Sequence, residues 1–536
     1  MDKKISLSEK RNWGFALLLS VPIVIFFAAY LLNHPGGLVP TGFIQYDNAS
    51  YIAYAKQYLD ADSFSLLYSN PFNDHASAPI YFQPQTVAFA LLLAIGTPPG
   101  PILIVFTIIC SVICFRLLIS IYDLIVTNQR FRTLLIWLFS WGGGLLVIAG
   151  VITHYIQQKN MPVASDLFVL DPQHGWWGLN LGRSLFFSCE AYYHALFLGC
   201  VYSILTRRWP TAALLMLLLA FSQPFTGVEL LGIVGFWICV EVIIDRKKVP
   251  AWFIIAWAVS LGLYILYYFF YLNQFPDHRS VATQYSLNWR LGWYRILPAY
   301  AIVGVLAIVA IYKEKLASVF SRPEYRLFVC WFVVAFLLSN HEWFFKPRQP
   351  IHFTRGYVWA SLFLLGLPAL QAWARYLKAR VGIWGLTLFT SIFLLDNFSW
   401  ILIHVASKAQ QPGATYINRE QVAIFHDLKG ECTSHTLLIS DDPTISYLST
   451  VYTKAYPWLS HPFTTPFAME KQQAYNLFFH EGQIDSSWAG RNVLFVLNKM
   501  NLSAATRATL TKINITSKSE SSHFLILRCD SLYRKK

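Results

Sequence analysis

The sequence predicts a polytopic α-helical membrane protein of about 11 transmembrane helices, N-terminus in and C-terminus out, followed by a small C-terminal extracytoplasmic α/β domain. Three observations carry that reading. Apolar residues fill 55% of the 536 positions and charged residues only 13%, the first share above and the second below those of soluble domains. Apolar stretches of roughly 20 residues, the length that crosses a bilayer, recur as far as about residue 404. Beyond about Lys408 the chain changes to strand-length apolar runs alternating with helical ones.

Spans are expected at about 13–32, 101–126, 133–153, 185–206, 209–222, 226–244, 251–272, 293–312, 326–340, 354–373 and 382–404. The first follows "MDKKISLSEKRNW", a basic flank like that of a signal peptide, but no small-residue cleavage site comes after it, so it reads as a retained span. Thr86 to Gly96 reads as a partly inserted or membrane-flanking helix, because a twelfth span there would reverse every later loop. Orientation comes from Lys and Arg, which collect in cytoplasmic loops. Eighteen basic residues fall on the side of Met1, in runs such as Lys10 and Arg11, Arg207 and Arg208, and Arg246, Lys247 and Lys248, against eight in the longer opposite loops. The net charge of +14 is thus mostly topology. No base-reading motif argues for nucleic acid.

The C-terminal runs "HTLLIS", "NVLFVLN" and "HFLILRC" alternate with "REQVAIFHDLK" and "AMEKQQAYNLFFHEG". Strands alternating with helices predict a small α/β layer with a largely parallel sheet. The domains are therefore 1–405, a transmembrane domain with a long first external loop (33–100), and 406–536, joined by "SKAQQPGATY". Six of the eight cysteines lie in or beside spans, where packing is their ordinary role. Cys432 and Cys529, alone in the outward-facing domain, are a candidate disulfide. Compact loops and no retention signal favour a bacterial inner (plasma) membrane with the C-terminal domain outward; Asn48, Asn501 and Asn514 head tripeptides that would accept glycans only in a eukaryotic lumen.

Under this topology the unusual polar groups gather on the external side. They are Asp47 and Tyr51 in "GFIQYDNASYIAYAK"; Tyr81 and Gln83 in "YFQPQ"; His174 and Arg183 in "DPQHGWWGLNLGRS", with Glu190 and His194 just beyond; Gln223 and Glu229; and His341, Glu342, Lys346, Arg348, His352 and Arg355 in "NHEWFFKPRQPIHFTRGY". Ionisable side chains at membrane depth are costly and mark functional sites by default. Plainer roles stand beside that one. Glu190 and His194, four apart on one helical face, would satisfy each other. Glu229 and Asp396 read as helix-to-helix hydrogen-bond partners. Arg183 would either snorkel to lipid phosphate or bind a substrate phosphate, and His341 and Glu342 would be solvated. Lys346, Arg348, His352 and Arg355, four potential cations in ten residues, make a cradle for phosphate or pyrophosphate. From Asp47 to Leu59 the spacing predicts an amphipathic interfacial helix, with Asp47 at its head either as N-cap or as a site group.

An Asp at the head of an interfacial helix, a Tyr four residues on, and the aromatic-polar-Pro element Tyr81 to Gln85 before the second span resemble the GT-C superfamily of membrane glycosyltransferases. The resemblance covers the layout of nearly the whole chain, but in motif only Asp47 to Gln85. The chain departs from the pattern in carrying Asn48 where many members have a second acid, and Gln83 where some have a charged residue. The resemblance implies transfer of a sugar from a polyprenyl-phosphate or polyprenyl-diphosphate donor to a glycan, lipid or protein acceptor on the external face. Asp47 would be general base or ligand to a divalent cation (Mg or Mn), and Lys346, Arg348 and Arg355 would stabilise the leaving phosphate. His174, Glu190 and His194 would orient substrate or metal. A noncatalytic accessory relative and a lipid or solute transporter are the alternative classes, although no two-halves symmetry of interrupted helices favours a transporter. No Gly-rich phosphate loop or Asp-x-Asp supports a soluble nucleotide-sugar enzyme.

Overall fold

The computed structural model describes residues 2–60, 65–126, 129–161, 163–244, 249–284, 289–406 and 414–532. Arg246, Lys247, Lys248 and most of the "SKAQQPGATY" connection lie outside the described residues. The chain is mostly helical, 68%, and divides into two compact units: Met1–Asn33, Val105–Ile265 and Leu287–Ala409 in the first, and His34–Ile104, Leu266–Ser286 and Gln410–Lys536 in the second.

Helices stand at all eleven expected apolar stretches. Among the described residues seven helices are long and apolar enough to cross a membrane: Glu9–Leu32, Pro99–Ile125, Pro224–Ile244, Ala251–Gln274, Trp293–Glu314, Pro350–Arg380 and Gly382–Ala406. Ser188–Leu205, Trp209–Ser222 and Pro323–Ser339, with 18, 14 and 17 residues, fall short of the roughly 20 that a bilayer core needs.

The remaining expected span, 133–153, is a pair, Arg132–Trp141 and Leu146–Gln158, bent by 51°. Gly142 to Gly144 make the break, and the neighbouring helix Gly382–Ala406 satisfies both of its open ends. The Asp396 carboxylate accepts from the backbone N–H of Gly144 (2.9 Å), Leu146 (3.1 Å) and Val147 (3.0 Å), the usual location for an anion at a helix N-terminus. Asn397 Nδ2 donates to the carbonyls of Trp141 and Gly142, at 2.8 and 3.1 Å. A Cβ on Gly143 would stand 2.7 Å from that of Asp396, so only glycine lets the chains close on one another. Asp396 is therefore the interhelical partner expected of it. Glu229 is not: fully buried, it has no hydrogen-bond partner for either carboxyl oxygen among the described residues.

The second unit carries two sheets. In the smaller, β1 (Leu38–Pro40) pairs antiparallel with β2 (Tyr416–Asn418), tying the start of the first loop to the start of the C-terminal segment. The larger contains β3 (Thr436–Ser440), β4 (Tyr456–Pro457), β5 (Asn492–Asn498), β6 (Ser517–Glu520) and β7 (Phe524–Cys529), in the order β4-β3-β5-β7-β6. β3 is parallel to β4 and β5, whereas β7 is antiparallel to β5 and β6. The sheet is mixed, not largely parallel. Helices Pro443–Tyr452 and Ala468–Glu481 return the chain between β3 and β5. Only Ser521 to His523 separate β6 from β7, room for a hairpin and none for a crossover.

Leu437, Ile439, Val493, Phe495, Leu497 and Leu527 pack with Phe478, Trp458 and Trp488 as the core of this sheet. Cys529 belongs to that core, while Cys432 caps the helix Arg419–Glu431. Both are free thiols, and the expected disulfide is absent.

Candidate functional site

The expected site residues fall in both units. In the second, Asp47 immediately precedes the helix Asn48–Asp60, as the sequence predicts. Its carboxylate is half exposed, and Oδ1 meets His461 Nε2 at 3.1 Å. Among the described residues that is its hydrogen-bond partner, so Asp47 is held across the unit and does not act as a local side-chain cap.

Around this pair stands a wall of rings. Tyr46 stacks on Tyr447 at 4.4 Å between centroids, and His461 lies 5.2 Å from Tyr46, 5.4 Å from Phe72 and 5.3 Å from Tyr447. Tyr447 Oη donates to the Tyr46 carbonyl at 2.5 Å and shares a 2.8 Å bond with Ser50 Oγ. Burial first, and the Asp47 charge second, push the Tyr46 and Tyr447 hydroxyls well above their ordinary range. Both phenols stay neutral, which makes them hydrogen-bonding and stacking surfaces, not bases.

Tyr51 sits half-buried in the same helix, edge-on to Tyr54. Tyr81 bridges to Tyr68, and its hydroxyl pairs with His278 Nδ1 at 3.2 Å. Beside it, Asn73 Nδ2 donates to Asp277 at 2.7 Å. Gln83 takes the N-cap position of the short helix Pro84–Ala94, where its carbonyl accepts from Thr86.

In the first unit the expected phosphate cradle divides. Arg355 pairs with Glu190 at 2.5 Å and lies 3.7 Å above the Trp177 ring. Arg183 is fully buried and paired with Asp171 instead of snorkelling. His352 is sandwiched between Trp177 and Phe225, at 4.8 and 4.4 Å. Lys346 and Arg348 alone are exposed, and no ion pair engages either among the described residues.

The other candidates have local work. His194 does not meet the Glu190 carboxylate; its ring nitrogens reach the carbonyls of Glu190 and Arg355 at 2.8 and 2.7 Å. Gln223 Oε1 accepts from the N–H of Phe225 at 2.6 Å and so starts the helix Pro224–Ile244. His341 accepts from the Arg348 N–H at 2.9 Å. Glu342 is half-buried, with one oxygen unpartnered, and His174 is exposed on its loop.

Among the described residues no three His, Cys, Asp or Glu side chains converge to hold a metal ion. At Asp47 the donor set is one carboxylate. His461 Nδ1 accepts from the Phe463 N–H at 3.1 Å, which puts the ring proton on Nε2, where it faces Asp47 and cannot ligate. One carboxylate is a protein ligand that Mg takes beside waters and substrate phosphates, and the same carboxylate is placed to accept a proton.

His461, Tyr447, Asp277 and His278 are the functional candidates that sequence reasoning missed. Only the "HPFTTPF" run, a His in a Pro-rich stretch of the soluble segment, pointed to His461. No family model and no curated protein matches the chain.

Proposed function

We propose that this chain is a membrane glycosyltransferase of the GT-C type, passing a sugar from a polyprenyl-phosphate or polyprenyl-diphosphate donor to an acceptor. We place it in a bacterial inner membrane with eleven spans, N-terminus inside and C-terminal segment outside. The observation that carries the reading is a half-exposed carboxylate, Asp47, anchored on one oxygen within a wall of aromatic rings. Aromatic faces suit sugar rings, and an anchored carboxylate suits proton abstraction.

In the reaction an acceptor hydroxyl or amide attacks the anomeric carbon, its proton passes to Asp47 Oδ2, and the bond from that carbon to the phosphate oxygen breaks. The phosphate leaves with the bonding pair. Developing charge there calls for cations; in the first unit, Lys346 and Arg348 are the members of the basic segment left exposed and unpaired by any acid among the described residues.

One observation favours the accessory relative: Arg183 and Arg355 are each neutralised by a buried acid. A transfer assay separates the two readings. Purified protein is offered polyprenyl-phosphate and polyprenyl-diphosphate sugars, with wild type beside Asp47→Asn. Turnover lost in a folded Asp47→Asn protein supports catalysis. Equal turnover in both removes Asp47 from the mechanism, and none across a broad panel favours the accessory relative.

A further inference from the structure

We infer that His461 is the positioning residue for Asp47, a neutral Nε2–H imidazole that clamps one carboxylate oxygen so that the other meets the acceptor. The inference rests on the reading of Asp47 as the base and adds a partner 414 positions away in the chain.

Three features fix the imidazole. Its side chain is 4% exposed and walled by Tyr46, Phe72, Tyr447 and Phe463. Its own backbone is pinned, because the His461 carbonyl accepts from Thr465 N–H at 3.1 Å and from Thr465 Oγ1 at 2.8 Å. Its Nδ1 is occupied by the Phe463 N–H at 3.1 Å. The one polar outlet left is Nε2–H, and it points to Asp47 Oδ1.

Two consequences follow. First, His461 holds the carboxylate without relaying its proton: Nε2 already carries a hydrogen, and protonating Nδ1 would break the Phe463 bond. The abstracted proton therefore rests on Asp47 Oδ2. Second, the half-exposed Asp47 loses its rotational freedom at Oδ1 alone, while Oδ2 has no protein partner among the described residues. An exposed carboxylate ordinarily samples several rotamers, and a reacting group displaced by about 1 Å costs about 100-fold in rate.

The test uses full-length protein in nanodiscs and begins without turnover. In protein labelled with ¹⁵N-histidine, signals lost in His461→Gln assign the ring, and a two-bond ¹⁵N–¹H correlation reads its tautomer. Neutral Nε2–H at pH 7 is expected; an Nδ1–H or doubly protonated ring overturns the inference. Kinetics follow with whichever probe of a polyprenyl-phosphate glucose, mannose, N-acetylglucosamine and arabinose panel turns over. His461→Phe keeps the ring and loses the donor, so kcat falls about 100-fold with KM within about twofold. His461→Gln, whose amide nitrogen reaches the Nε2 position, retains kcat within about threefold of wild type. Equal loss in both variants, or loss carried by KM or by melting, overturns positioning. Full activity of His461→Phe beside a dead Asp47→Asn defeats this inference alone, whereas an active Asp47→Asn defeats the reading of Asp47 as base.

Discussion

Replacing Asp74 by Asn removes the charge that a buried lysine and a partly buried arginine share. Asp74 Oδ1 lies 2.7 Å from Lys471 Nζ and Oδ2 lies 2.8 Å from Arg491 Nη1, with Arg491 also donating to the Asp74 carbonyl. Lys471 is 7% exposed and Arg491 26%. Removing one partner of a buried pair costs about 3–5 kcal/mol, because the other charge is stranded. Arg491 regains some solvent, so the lower end, about 3 kcal/mol, is expected. For a fold of about 200 residues that is about 6–12 °C in melting temperature. Intrinsic fluorescence on heating reads the loss, since Trp458 and Trp488 lie in the core of the same unit.

The same contact sets a pH dependence. Burial pushes the Asp74 carboxyl up, but hydrogen bonds from His75, Lys471 and Arg491 and the Lys471 charge outweigh it and hold it well below the usual range. An unfolded Asp titrates at about 3.9, so below about pH 5 the unfolded chain binds more protons than the folded one and stability falls with pH. Wild type should lose melting temperature steeply from pH 5 towards pH 2, and Asp74→Asn less steeply. Asp74→Ala with Lys471→Met should recover part of the loss, since an apolar pair can replace a buried ionic one. A drop under about 2 °C in Asp74→Asn at pH 7 would refute the claim that a buried charge is stranded.

Two further outcomes test the fold. Asp396→Ala strands three backbone N–H groups at the broken helix; at about 1 kcal/mol or more each, detergent-solubilised protein should melt well below wild type, with Asp396→Asn in between. Thiol titration of denatured protein should count eight cysteines with and without reductant, and two fewer without it would restore the Cys432–Cys529 disulfide.

Hydropathy made the helices legible, because a lipid-facing backbone must satisfy its own hydrogen bonds and so repeats one simple pattern. What it hid was the break at Gly142 to Gly144. The glycines are visible in the sequence, but the residues that make a broken helix affordable, Asp396 and Asn397, lie about 250 positions later. The mixed sheet was hidden for a related reason. An apolar strand reads alike in both directions, and only the three-residue turn before β7 decides between them.

At the candidate site, Asp47 was legible as an acid heading a helix, and His461 was not, since nothing in spacing joins residues 414 apart. Charge counting along Lys346 to Arg355 finds the cations but not their partners. A cation is available to a ligand only if no acid has claimed it, and Glu190 lies 165 positions before the arginine it neutralises.

Arg355 shows what such a claimed cation does instead. Its guanidinium joins Glu190 and the Trp177 face, and its carbonyl meets His194 at 2.7 Å. Glu190 and His194 stand on Ser188–Leu205, so one residue fastens the end of the basic segment to that helix at two points. Exchanging Glu190 for a phosphate would strand a buried carboxylate, a cost that Lys346 and Arg348 do not carry. The segment therefore separates two kinds of cation that its composition blends: Arg355 is tied to Glu190 and Trp177, and the exposed charge lies seven to nine residues upstream, at Arg348 and Lys346.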